Sequence, residues 1–118
     1  MSFDFNNNVP IYVQIIEYIK RQIIIGIYRP NEKIPSVREL SIQFQVNPNT
    51  IQKALGELER QGLLFTERTN GKYVTHDEKI ILKAKSETLG QIMDEFCDTM
   101  SKFGIDKQQV IKMLKEKE

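Results

Sequence analysis

The sequence predicts a mainly α-helical chain carrying one small β-hairpin. Apolar residues recur at helical spacing in five separate segments, and capping-box pairs mark where two of these begin. A third sign is Asn70-Gly71, which divides two short stretches suited to β-structure.

The first segment is PIYVQIIEYIKRQIIIG. Ile15, Ile19 and Ile23, with Tyr12 and Ile16, share one helical face; Pro10 suits the first helical position and Gly26 the C-terminal cap. Its β-branched residues would also suit a strand, but the sustained helical period decides for helix. After the connector IYRPNEKIP, Ser36 and Glu39 form an S-x-x-E capping box, so a second helix starts at Ser36 with Val37, Leu40 and Phe44 as its apolar stripe. QVNPNT ends it, because Pro48 cannot continue a helix interior but can open a new helix with Asn47 as N-cap. The third helix runs to Gly62. In LLFTERTNGKYVT the period becomes that of strands, and Asn70-Gly71 suits a tight two-residue type I′ turn. Helix resumes from Asp77 to a stop near Gly104. A last helix starts at Asp106, with Gln109 completing a capping box and Ile105 poised against Val110 as a hydrophobic staple.

Composition narrows the functional classes. With 118 residues, 40% hydrophobic and 28% charged, the chain has the profile of one globular domain with an appended element. No apolar run is long enough to cross a membrane, and MSFDFNNNVP lacks the features of a signal peptide. The single cysteine, Cys97, suits a reducing compartment, so a cytoplasmic protein is expected. With His76 as the one histidine, an all-His/Cys metal site is excluded, and there is no Gly-rich phosphate loop. The expectation is a protein with no cofactor that is not an enzyme. Bulk charge does not argue for nucleic acid: the net charge is +1, and residues 1–78 hold nine Lys/Arg against nine Asp/Glu.

Local charge does. On the third helix Ile51, Ala54, Leu55 and Leu58 fall on one side, while Asn49, Gln52, Lys53, Gly56 and Arg60 fall on the other. That outer stripe carries amides able to bond adenine edges, a lysine for guanine or phosphate, and no carboxylate; Glu57 and Glu59 flank it. Two short helices joined by a tight turn and followed by a β-hairpin form the layout of a winged helix-turn-helix. A polar outer face is also what any solvated helix shows. The rival reading is a winged-helix protein-interaction module, which would put apolar or acidic residues on that face in place of Asn, Gln, Lys and Arg.

PIYVQIIEYIKRQIIIG, KIPSVRELSIQFQVNPNTIQKALGELERQGLL and NGKYV together resemble the N-terminal domain of GntR-type bacterial regulators, over roughly residues 9–75. The short tail resembles the YtrA-like subgroup, which lacks a large effector-binding domain. The resemblance implies DNA contacts by Ser36 and Arg38 in PSVRE, Arg38 on phosphate or a base, and by Asn47, Asn49, Thr50, Gln52 and Lys53. Asn70, Gly71 and Lys72 would form the wing tip. Two departures stand out: Thr69 occupies the first position of the family's Gly-x-Gly wing, and Gln52 stands where some subgroups carry arginine. Lys72 has a second reading, since a lysine on a hairpin edge also blunts strand pairing.

In the tail, Leu82, Leu89, Met93, Phe96, Met100 and Phe103 follow a seven-residue repeat interrupted at Ser86. Such a seam needs a partner, which could be the N-terminal domain, the last helix through Val110, Ile111 and Leu114, or a second copy. Forty residues have little core of their own, which favours the second copy. Gly90 suggests a close crossing or a bend. The expected architecture is therefore a winged helix-turn-helix over 1–76 and a two-helix dimerisation tail over 77–118. Its expected partners are a double-stranded DNA operator and a second subunit, with no membrane. A small-molecule effector is compatible with this, but no polar cluster nominates a pocket for one.

Overall fold

A computed structural model describes residues 4–67 and 71–117. The order is α1 (Ile11–Ile24), α2 (Val37–Phe44), α3 (Pro48–Arg60), β1 (Leu64–Glu67), β2 (Gly71–Val74), α4 (Glu78–Ser101) and α5 (Lys107–Glu116). The chain divides into two compact units, Met1–Leu82 and Lys83–Glu118.

The first unit is built on the stripes that the helical periods select. α1 contributes Ile15, Ile16, Ile19 and Ile23, α2 contributes Leu40 and Phe44, and α3 contributes Ile51, Ala54, Leu55 and Leu58, all buried. Leu63, Leu64 and Val74 close this core from the hairpin side. Each large aliphatic side chain so buried is worth about 1.5–3 kcal/mol. Tyr18 adds an edge-on contact to the Phe44 ring at 5.3 Å. Pro10 is the N-cap of α1 and not its first helical residue, with an extended ψ of 140°.

Ser36 caps α2 as its sequence requires: its hydroxyl accepts the Glu39 N–H at 3.1 Å, while the Glu39 carboxylate accepts the Ser36 N–H at 2.8 Å. The turn to α3 needs a left-handed residue, and Gln45 supplies it at φ 57°. Ser41 then donates its hydroxyl to the Val46 carbonyl at 2.6 Å, closing the turn from beneath. Asn47 opens α3 by accepting the Asn49 N–H at 2.8 Å, and Gly62 (φ 82°) ends the run.

The hairpin pairs Leu64 with Val74, Phe65 with Tyr73, Thr66 with Lys72 and Glu67 with Gly71. This register corrects the expected turn. A two-residue turn centred on Asn70-Gly71 would set Thr69 opposite Lys72, whereas Gly71 is itself a paired strand residue and the connection spans 68–70. Gly71 does have the positive φ expected of it, at 96°. Asn70 and Thr69 lie outside the described residues.

One pairing has no signal in the periodicity. The connector between α1 and α2 runs along the outer side of β2, with an isolated bridge from Lys33 to Tyr73. The Asn31 N–H donates to the Val74 carbonyl, the Val74 N–H to Glu32, and the Ile34 N–H to Lys72, all at 2.9–3.0 Å.

In the second unit α5 has the capping box read from Asp106 and Gln109. Val110, expected on the dimerisation face, is 5% exposed and belongs to the single chain's own interior. α4 ends at Ser101, so Phe103 sits in the turn beyond the helix, 79% exposed, and does not extend the helical seam. A side chain at Gly90 would meet nothing within 4 Å among the described residues.

Candidate nucleic-acid interface

α3 presents its outer stripe to solvent. Asn49, Gln52, Lys53, Gly56 and Arg60 are exposed, opposite the buried Ile51, Ala54, Leu55 and Leu58. Gln52 and Lys53 stand in the middle of that stripe. A side chain at Gly56 would meet nothing within 4 Å, so the helix surface there is open to close approach. Thr50 is half-buried at the edge.

Several predicted residues also hold the local structure. Ser36 and Asn47 are both N-caps, with their side-chain oxygens accepting backbone N–H groups. The Asn47 amide nitrogen and the Ser36 hydroxyl proton remain able to donate outward. Arg38, one residue into α2, is exposed, and no carboxylate among the described residues forms an ion pair with it. The Lys53 ammonium lies 3.8 Å from the centre of the Tyr12 ring, a cation–π contact that ties α3 to the start of α1.

The carboxylates flanking the stripe are both compensated. Glu57 accepts from Arg60 Nε at 2.8 Å and from Gln61 at 2.9 Å, and the Arg60 and Gln61 hydrogen bonds hold its pKa down to about 2. Glu59 accepts from Lys72 Nζ at 2.7 Å and from the Thr66 hydroxyl at 2.8 Å, and these bonds also lower its pKa. The negative charge on α3 is therefore offset by cations of its own chain. The compensation of Glu59 was not legible in the sequence, where it and Lys72 stand thirteen residues apart.

Lys72 is thus placed differently from a free wing-tip cation. Its ammonium bonds Glu59 and the Thr66 hydroxyl, each at 2.7 Å, and its side chain is 24% exposed. Gly71 sits above it at the end of the ladder, exposed. Behind the wing, Phe65 and Tyr73 stack as cross-strand partners at 5.7 Å, and exposed His76 meets the Phe65 ring edge-on. Among the described residues no group of three His, Cys, Asp or Glu could hold a metal ion, and no helix is long and apolar enough to cross a membrane.

The tail residues Leu82, Leu89, Met93 and Phe96 are exposed by 45–63%, as are Ile92 and, on α5, Ile111, Met113 and Leu114 by 46–57%. Met100 is half-buried. None of the described side chains of α4 is buried.

Comparison with known proteins agrees with this arrangement. Residues 11–74 match the model of the bacterial regulatory proteins of the gntR family. An uncharacterised helix-turn-helix regulator of Bacillus subtilis, YhcF, is 33% identical over 98% of this chain and 95% of its own length. The repressor YtrA of the same organism is 43% identical over 70% of this chain, which spans 63% of that repressor's length. Among solved structures, a GntR-family transcriptional regulator from Listeria monocytogenes has a TM-score of 0.90 at 40% identity, covering 97% of this chain and all of that one. The DNA-binding domain of AraR, solved in complex with an operator, has a TM-score of 0.59 at 35% identity, covering 64% of this chain and 95% of that one. By the family match and the shared winged-helix core, the chain belongs to the GntR family of bacterial regulatory proteins and is not an enzyme.

Proposed function

We propose that this chain is a sequence-specific DNA-binding transcription repressor that acts as a homodimer on a pseudo-palindromic operator. The observation that carries the reading is the α3 stripe: exposed Asn49, Gln52 and Lys53, an open backbone at Gly56, and flanking carboxylates already paired within the chain. Amide side chains on such a face can each hold adenine through two hydrogen bonds, and lysine can take guanine or phosphate. Asn47 and Thr50 at the start of α3, with Ser36 capping α2, face the backbone on either side of the groove, and Arg38 on α2 takes phosphate or a base. The wing loop around Asn70 and Gly71 reaches the neighbouring groove or backbone. The operator bound by AraR supports this assignment for a related fold.

The first unit does the reading, and the tail holds two copies together. α4 leaves Leu82, Leu89, Met93 and Phe96 in solvent in a single chain, and a second α4 is the partner that a heptad seam calls for. Met100 continues that seam near the end of α4, while Phe103, in the turn beyond the helix, and Leu114, on α5, offer further exposed apolar side chains to a partner. Two reading helices then enter successive major grooves about 34–36 Å apart, or a multiple of it, and exclude polymerase. Such a protein works in the cytoplasm, beside the chromosome.

Selection of bound sequences from random duplex DNA tests the proposal. It is expected to return two inverted half-sites at fixed spacing. Recovery of no preferred sequence would overturn sequence-specific binding, and recovery of single half-sites would overturn the two-headed mechanism.

A further inference from the structure

Glu59, Thr66 and Lys72 make a closed set of hydrogen bonds where α3 meets the wing. Lys72 Nζ lies 2.7 Å from both Glu59 Oε1 and Thr66 Oγ1, and Thr66 Oγ1 lies 2.8 Å from Glu59 Oε2. Thr66 and Lys72 are ladder partners one rung below the last pair of the hairpin, Glu67 and Gly71. Glu59 is on the last turn of α3. The three therefore join the base of the wing loop to the end of the helix that faces DNA. We propose that Lys72 and Glu59 are positioning residues that fix the angle of the wing to α3, and that Lys72 is not a phosphate contact.

Charge placement supports this role. Glu59 follows Gln52 by seven residues, so it stands about 20° from it around the helix axis, at the rim of the reading stripe. A Lys72 that swung away to a phosphate would leave that carboxylate bare beside the DNA backbone. Keeping the strut closed both holds the wing and offsets the one acid nearest the groove. The charge-assisted bond, with Lys72 and Glu59 side chains 24% and 38% exposed, is partly shielded from water.

This inference rests on the DNA-binding reading above, and its test separates the two. Glu59→Ala removes a negative charge near DNA, so electrostatics alone would tighten binding. The strut instead predicts weaker operator binding by about tenfold, the effect of losing one charge-assisted hydrogen bond. Lys72→Met in the Glu59→Ala background is expected to add nothing, with the salt slope unchanged, whereas Lys72→Arg alone keeps near-parental affinity. Glu59→Ala binding as tightly as the parent would overturn the positioning role. So would a further loss on adding Lys72→Met, with the salt slope falling by about one. A readout without DNA accompanies these: by NMR titration, the Glu59 carboxyl of Lys72→Met is expected to rise toward the ordinary glutamate range. No change there would overturn the strut with DNA binding intact. A parent protein that selects no DNA would overturn the reading above with the titration result still standing.

Discussion

At the residue scale, the exposed groups of α2 and α3 differ in whether their own chain already occupies them, as it does Arg60 and Lys53. Gln52 and Asn49 make no side-chain hydrogen bond among the described residues, so both amides are free for bidentate contact. Gln52→Ala or Asn49→Ala is expected to relax base preference at one position per half-site, at about 1–3 kcal/mol, as binding-site selection on each variant will show. Arg38→Ala is expected to weaken all sites alike and to lower the salt slope by about one, measured by titration across salt concentrations. Glu57 adds a pH prediction. Its pKa is depressed to about 2 by Arg60 and Gln61, so the contribution of that pair is present above the ordinary glutamate value and is lost as pH falls toward 2. Carboxyl NMR on the parent and on Arg60→Ala checks it, with the variant expected to titrate nearer the ordinary value. Much of this scale was legible in advance. The stripe of Asn49, Gln52 and Lys53 followed from the period of Ile51, Ala54, Leu55 and Leu58, because one face of a packed helix fixes the other. The partners of Glu59 and Lys53 did not follow, because they are set by where the hairpin and α1 lie in space.

At the scale of elements, boundaries followed local chemistry wherever a side chain could act alone. Ser36 with Glu39, Asn47 before Pro48, and Asp106 with Gln109 each satisfy backbone groups through contacts within three residues, so the sequence carries the whole cause. Gln45 in the left-handed region has no such signature, since glycine or asparagine is the usual occupant. The turn is held instead by Ser41 and Val46. The hairpin connection departs from the expected turn for a related reason: Asn-Gly favours a two-residue turn, but the register is set by the buried Leu64–Val74 pair and by the connector pairing along β2. The wing yields a prediction of its own. Gly71 needs its φ of 96°, and a side chain there would meet Lys33 Cε at 3.4 Å. Gly71→Val is expected to distort the wing tip and lower DNA affinity, while the melting temperature changes little because the core of helices is untouched. Calorimetry and operator titration on the same variant distinguish this from a hairpin that clasps the fold, for which melting would collapse.

At the scale of the molecule, the two units have opposite economies. The first buries its apolar stripes against each other. The second leaves Leu89, Met93 and Phe96 in solvent and, among its described residues, buries Val110 alone. Phe96→Glu would put a charge into the proposed tail interface, at a cost of several kcal/mol. The variant is expected to sediment as a monomer with its N-terminal unit folded, and to bind operator at least about 10²-fold less tightly through loss of the linked second head. A parent that sediments as a monomer would remove the dimer. The heptad spacing was legible in the sequence; which residues it leaves outside was not, because Val110 and Phe103 depend on how the tail turns at Gly104.

The pairing of the α1–α2 connector with β2 also bears on how the protein behaves in a crowd. A two-stranded hairpin has two edges, and each is a template on which a foreign strand could grow. Here one edge is already occupied by the backbone of residues 31–34, hydrogen-bonded to Lys72 and Val74. The edge along β1 is four residues long and ends on the charge of Glu67, which makes it a poor seed for fibrils. The same three-segment layer that carries the wing thus leaves the short β1 side as the edge on which a foreign strand would have to start.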